Sequence, residues 1–207
     1  MNNLGLKNQD LFEDLFVYEE LNDQRVYGVD FWSLGVPVTV VVDDYIPTYS
    51  WGPAALESVS DNKGLWPIFL EKAFGKLHGN YNATSGGQPS EAITSMTGYP
   101  GWYTWNTNVT LESLWTTVTT ELDKGSMLAT GTFAENEKKY NNGLANSHAY
   151  AILGYYTLSN GVRLVKMSNP WGIDAYTGEW SDSSSLWTPA LRAEVGSTVD
   201  EQDGVFF

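Results

Sequence analysis

Two histidines, at positions 78 and 148, are the side chains of this sequence best suited to proton transfer near neutral pH. His148 lies in NNGLANSHAYAILGYY, at the mouth of an apolar strand that follows a loop of small residues, so its imidazole can face a cleft. One strand later VRLVKMSNPWG carries Asn169, Pro170, Trp171 and Gly172. A side-chain amide oxygen accepts a hydrogen bond from an imidazole N–H and so fixes the ring's orientation and tautomer, while an adjacent indole shields that bond from water. His148, Asn169 and Trp171 therefore read as an oriented base in need of a nucleophile. Ser147 and Ser168 adjoin the pair, but neighbours along a strand point to opposite faces, and no G-x-S-x-G turn accompanies them. Cysteine is absent from the 207 residues, which removes thiol nucleophiles together with disulfides and thiolate metal sites. His78, in KLHGN, reads as a structural or exposed residue at a helix C-terminus, where a partial negative charge favours it.

The charge balance is 11 basic against 25 acidic residues, a net −14, with no basic run to meet a phosphate backbone. Nucleic acid is excluded as an expected partner. Hydrophobic residues make up 42% and charged residues 17%, a composition that packs a core and argues against disorder. No apolar run approaches the roughly 18 residues of a transmembrane helix, and the first twenty residues lack the pattern of a secretory signal. An intracellular, cytoplasmic setting is the expectation. The N-x-T triplets at Asn82 and Asn108 then read as a turn residue and a helix cap, and the aromatics of GYPGWYTWN as packing surface.

The elements that must position the pair follow from periodicity. An acidic lead-in over residues 1–25 reads as a short helix or arm, with Leu11, Phe12, Leu15 and Phe16 at helical spacing. VYGVDFWS and VPVTVVVDD form a hairpin about Leu34 and Gly35, and YIPTYSWGP, with its two prolines, is expected to be irregular. WPIFLEKAFGKLH is an amphipathic helix with Pro67 in its first turn. SEAITSM is a short helix capped by Ser90 and ended by Gly98, and NVTLESLWTTVTTELDKG a longer one capped by Asn108 or Thr110. SMLATGTF, SHAYAILGYYTL and VRLVKMSNP are strands, and DGVFF opens a further aromatic segment. Strands, helices and strands again, with no regular βαβ alternation, predict an α+β fold.

HAY followed by NPWG and TGEWSD resembles the calpain family of calcium-dependent cysteine proteases, as do VTVVVDDYIPT, WPIFLEKAFGKLHGNY and SGGQPSEAITSMTG upstream and SDSSSLW and EQDGVFF downstream. The resemblance covers residues 26–207 in family order. It implies the C-terminal half of a papain-like catalytic core, a twisted antiparallel sheet flanked by helices, with residues 1–25 left from a preceding subdomain and the half truncated at its C-terminus. By motif, His148 would be the general base, Asn169 its orienting residue and Trp171 the shield over their contact. The family's nucleophilic Cys and oxyanion Gln belong to a segment before the hairpin. This chain would then need a Cys-bearing first half, in the same polypeptide or in trans, and would be inactive alone. Protein substrates are implied. The alternative is a non-catalytic binding or regulatory module of the same fold.

The resemblance also implies calcium, through Asp182 in EWSD and Asp203 in QDG. Two acids of the family pattern are replaced, by Ala175 with Asp174 beside it and by Val205 after Asp203-Gly204. Calcium takes six to eight oxygens, so their loss weakens such a site. The competing reading leaves Asp174, Glu179, Asp182, Glu201 and Asp203 as solvated loop acids.

Overall fold

The computed structural model describes residues 9–17, 22–50, 52–53, 66–137, 140, 142–197 and 203–207. The chain is α+β and divides into two compact units, residues 1–103 and 104–207.

In the first unit β1 (Val26–Ser33) pairs antiparallel with β2 (Val36–Asp43) in the hairpin expected about Leu34 and Gly35. Both turn residues have positive φ, 50° and 79°, the mirror-image geometry that follows the right-handed twist of paired strands. Helix α1 (Gln9–Glu13) leads into a short extended stretch in which Phe16 bridges Val29 and Asp30 donates its N–H to the Leu15 carbonyl at 2.7 Å. The lead-in thus lies along β1 and buries Phe12 and Leu15, while its residues 1–8 and 18–21 fall outside the described set. Helix α2 (Trp66–Leu77) buries Ile68, Phe69, Leu70 and Ala73, and Tyr27 meets Phe69 with ring centroids 4.7 Å apart. His78 is exposed at the end of α2, its ring against Phe74.

Two expectations in this unit need correction. The proline-bearing run forms a two-residue ladder, β3 (Thr48–Tyr49) with β4 (Gly52–Pro53), because Pro53 sits at the ladder's end, where its missing N–H costs little. Helix α3 (Pro89–Thr97) is not capped by Ser90. Gln88 holds the cap position without a side-chain bond, and Pro89 takes the first turn, where a missing N–H is no loss.

The second unit opens with α4 (Leu111–Asp123), whose cap is Thr110, accepting from Ser113 N–H. A four-stranded antiparallel sheet follows in chain order, β5 (Leu128–Gly131), β6 (Ala149–Thr157), β7 (Arg163–Ser168) and β8 (Val205–Phe206). Helix α5 (Pro189–Val195) was not foreseen, although Thr188 before Pro189 and Gly196 after Val195 are a start and a stop signal. It closes a cluster of Leu158, Leu164, Trp187, Val195 and Phe207 on the sheet.

Phe31 has no exposed surface and faces the core of the first unit. Phe31→Ala is expected to cost about 3–5 kcal/mol in urea denaturation. Leu34, fully exposed at positive φ, carries the opposite sign. Leu34→Asn should gain up to about 1 kcal/mol by relieving the left-handed backbone.

Candidate active site

His148 immediately precedes β6, and Asn169 immediately follows β7. The register that pairs Ala151 with Ser168 carries the two residues to the same end of the sheet. There the His148 Nε2 lies 2.9 Å from the Asn169 Oδ1. Asn169 is buried, and three further bonds fix it: its backbone N–H donates to the Gly204 carbonyl at 2.8 Å, its Nδ2 donates to the Ile173 carbonyl at 3.0 Å, and its Oδ1 accepts from the Trp171 N–H at 3.1 Å.

These partners decide the protonation pattern. A backbone N–H can only donate and a carbonyl can only accept, so the amide oxygen faces Trp171 N–H and the amide nitrogen faces Ile173. The oxygen that faces His148 must therefore accept, and His148 donates from Nε2. In the neutral ring Nδ1 then holds the lone pair, and it makes no hydrogen bond among the described residues. The imidazole's free nitrogen is turned away from the amide.

The Trp171 ring lies over His148 with centroids 4.0 Å apart and planes 36° from parallel, and Trp171 remains half-exposed. It covers one face of the imidazole. Tyr150 meets the ring edge-on at 4.9 Å and packs edge-on against Phe206. Burial pushes the Tyr150 phenol above its ordinary range, and its oxygen accepts from the Ala145 N–H at 3.0 Å. Thr132, opposite His148 across the end of β5, completes the mounting. Its N–H donates to the His148 carbonyl at 2.9 Å, and its hydroxyl accepts from the His148 N–H at 3.0 Å. Neither Thr132 nor Tyr150 was singled out in the sequence, although Tyr150 sits two residues from His148 and so on the same face of the strand. Ser168 is wholly buried, and Ser147 holds a left-handed backbone at φ 50°.

A model of the calpain family of cysteine proteases matches residues 3–207. The chain belongs to the calpain family. Calpain-type cysteine protease ADL1 of Oryza sativa subsp. japonica is 32% identical over 202 residues, which is 94% of this chain and 9% of the rice protein. Calpain-A of Drosophila melanogaster is 32% identical over 91% of this chain and 24% of its own length. The calpain-1 catalytic subunit of Bos taurus is 32% identical over 88% of this chain and 26% of its own length. The chain thus spans between about a tenth and a quarter of these relatives. Membership makes the fold that of a calpain papain-like domain. No helix among the described residues is long and apolar enough to cross a membrane.

The calpain resemblance implies calcium near Asp182 and Asp203, and the donors there can be tested against that ion. Asp174 takes the place beside Ala175: one carboxylate oxygen accepts from the Asp203 N–H at 3.1 Å, and the other is buried without a partner. The Asp203 carboxylate accepts from its own loop, at the Val205 N–H, 2.8 Å away. Among the described residues no three acids or histidines converge closely enough to hold a metal ion. With Ala175 and Val205 contributing no carboxylate, the described donors do not fit calcium. Glu201 lies outside the described residues.

What this loop pair does carry is a set of neighbouring carboxylates that act on one another. Burial, and then the charges of Asp182 and Asp203, push Asp174 up to about 6 from the ordinary 3.8. Folding therefore strengthens its hold on the proton. The stability this contributes is complete below the unfolded value near 3.8 and is lost as pH rises through about 6. Asp174→Asn should remove that loss. Its advantage in urea midpoint over the unmodified chain is expected to be near zero at pH 4 and to grow by pH 7. Solvent screening holds the difference to about 1 kcal/mol or less. An equal difference at both pH values would show that Asp174 does not titrate in this range. Calorimetric titration with millimolar Ca²⁺ should give no saturable heat, and a saturable signal lost in Asp182→Ala would restore the metal site.

Proposed function

We propose that this chain supplies the base half of a cysteine endopeptidase centre, with His148 as general base and acid, Asn169 as its orienting residue and Trp171 as the cover over their contact. The nucleophile would be a Cys thiolate on a separate segment, in the same polypeptide or in trans, since the sequence has none. The observation that carries the reading is the 2.9 Å contact in which the Asn169 Oδ1 accepts a hydrogen bond from the Nε2–H and leaves Nδ1 for the thiol. The rice relative bears the name of a cysteine protease, which favours this chemistry over any other use of an oriented imidazole.

The steps follow from that arrangement. Nδ1 takes the thiol proton, giving a thiolate and imidazolium pair. The thiolate sulfur attacks the scissile carbonyl carbon, the C–N bond breaks, and the imidazolium returns its proton to the departing amine. Water then attacks the thioester with Nδ1 accepting its proton, which releases the acid and restores the thiol. Asn169 stays hydrogen-bonded throughout and keeps the ring from turning. Peptide bonds of proteins would be the substrates, and the intact core would set specificity from both halves of the cleft. Residues 1–25 would be the tail of the preceding subdomain and residues 26–207 the His/Asn subdomain.

Complementation tests this reading. The chain is combined with a Cys-bearing calpain first half, and cleavage of an unselective peptide is followed. His148→Ala should lower the rate at least about a thousandfold, and Asn169→Ala by a smaller factor. Activity indifferent to His148 would overturn the assignment. A stable complex with no cleavage by the unmodified chain would favour a non-catalytic binding module of the calpain fold.

A further inference from the structure

His148 is reached through a short loop under strain. Between Ala145 and His148 the chain reverses, and Ser147 takes φ 50°, a left-handed value that a residue with a side chain adopts at a cost. Such a conformation persists where its surroundings over-determine it. Here the Phe133 carbonyl accepts from both the Ser147 N–H, at 3.0 Å, and the Asn146 Nδ2, at 2.9 Å. The Thr132 hydroxyl does more, because it touches both ends of the loop. It donates to the Ala145 carbonyl at 2.6 Å while accepting from the His148 N–H at 3.0 Å. The His148 carbonyl, 3.1 Å away, competes for the same single proton at longer range, and it already receives the Thr132 N–H. One side chain therefore sets the separation between the first and last residues of the loop.

We infer that Thr132 is a positioning residue for the imidazole, acting through the loop backbone and touching no reacting atom. The inference rests on the reading of His148 as the base. Its physical content is that the imidazole meets the Asn169 Oδ1 at hydrogen-bonding distance only while the loop is held closed. With the hydroxyl gone, the Ala145 carbonyl and His148 N–H lose their shared partner, Ser147 relaxes toward negative φ, and the ring moves off the amide. Displacement of about 1 Å is enough to cost on the order of a hundredfold in rate.

The test uses the full 207-residue chain with ¹⁵N-labelled histidine. Two-bond proton–nitrogen spectra give the share of the Nε2–H tautomer, and the same preparations are assayed with the Cys-bearing half. Thr132→Val, nearly isosteric, should reduce the Nε2–H share and lower kcat about 10- to 100-fold at nearly constant KM. Thr132→Ser, which keeps the hydroxyl, should restore both to within about twofold. A packing role alone predicts the reverse order, with Val tolerated and Ser harmful. Should Thr132→Val not fold, Thr132→Ala removes the same hydroxyl with a smaller side chain, and an unchanged tautomer share there would overturn the inference. Wild-type tautomer and kcat in Thr132→Val, where His148→Ala abolishes cleavage, would overturn it too. If His148→Ala itself leaves cleavage intact, the base reading falls while the tautomer measurement still judges Thr132.

Discussion

A single hydrogen bond, from the His148 Nε2 to the Asn169 Oδ1, sets the requirements that the second unit meets. It joins the start of one strand to the end of its neighbour, so the sheet must bring those ends together in register. A one-residue slip of β7 against β6 would turn Asn169 to the opposite face and leave a buried amide without its partner. The buried residues around the sheet, Tyr150, Ile152, Leu164 and Phe206, make such a slip costly by exposing apolar surface. Specificity of register in the core and orientation of the imidazole are thus the same constraint.

The loops at that end of the sheet act in concert for a related reason. The segment before His148, the segment after Asn169 and the turn at Gly204 each present backbone groups that strand pairing does not satisfy. They satisfy one another instead: Thr177 N–H donates to the Asn142 carbonyl at 2.8 Å, and Gly172 N–H to the Asn169 carbonyl at 3.0 Å. Buried polar groups left unpaired are expensive, so this mutual pairing gives irregular backbone a defined shape.

Much of this was legible in the sequence, and the boundary of legibility has physical causes. Strand and helix periodicities located β1, β2, α2, α4 and the three long strands of the second sheet, because each buries one face and therefore repeats its apolar residues at a fixed interval. His148 was readable because the sequence has two histidines, and Asn169 because its amide stands in NPWG one strand later. Thr132 was not, since a threonine at a strand end is ordinary until the carbonyl of Ala145 and the N–H of His148 are seen to converge on its hydroxyl. The Gln88 cap and the β3 and β4 ladder were misread for a related reason. Ser90 and the prolines carry strong average preferences, and local context overrode them. Helix α5 escaped because its seven residues are too short to show a repeat.

Gly204 holds a left-handed φ of 77°, and a Cβ there would stand 2.9 Å from both the Asn169 carbonyl oxygen and the Gly172 Cα. Its own carbonyl receives the Asn169 N–H, so the turn that seats Asn169 is also the turn that admits β8 to the sheet. Selection for folding alone would keep this glycine, and with it the shape of the pair above it. A calpain-type domain that never broke a peptide bond would be held to the same geometry.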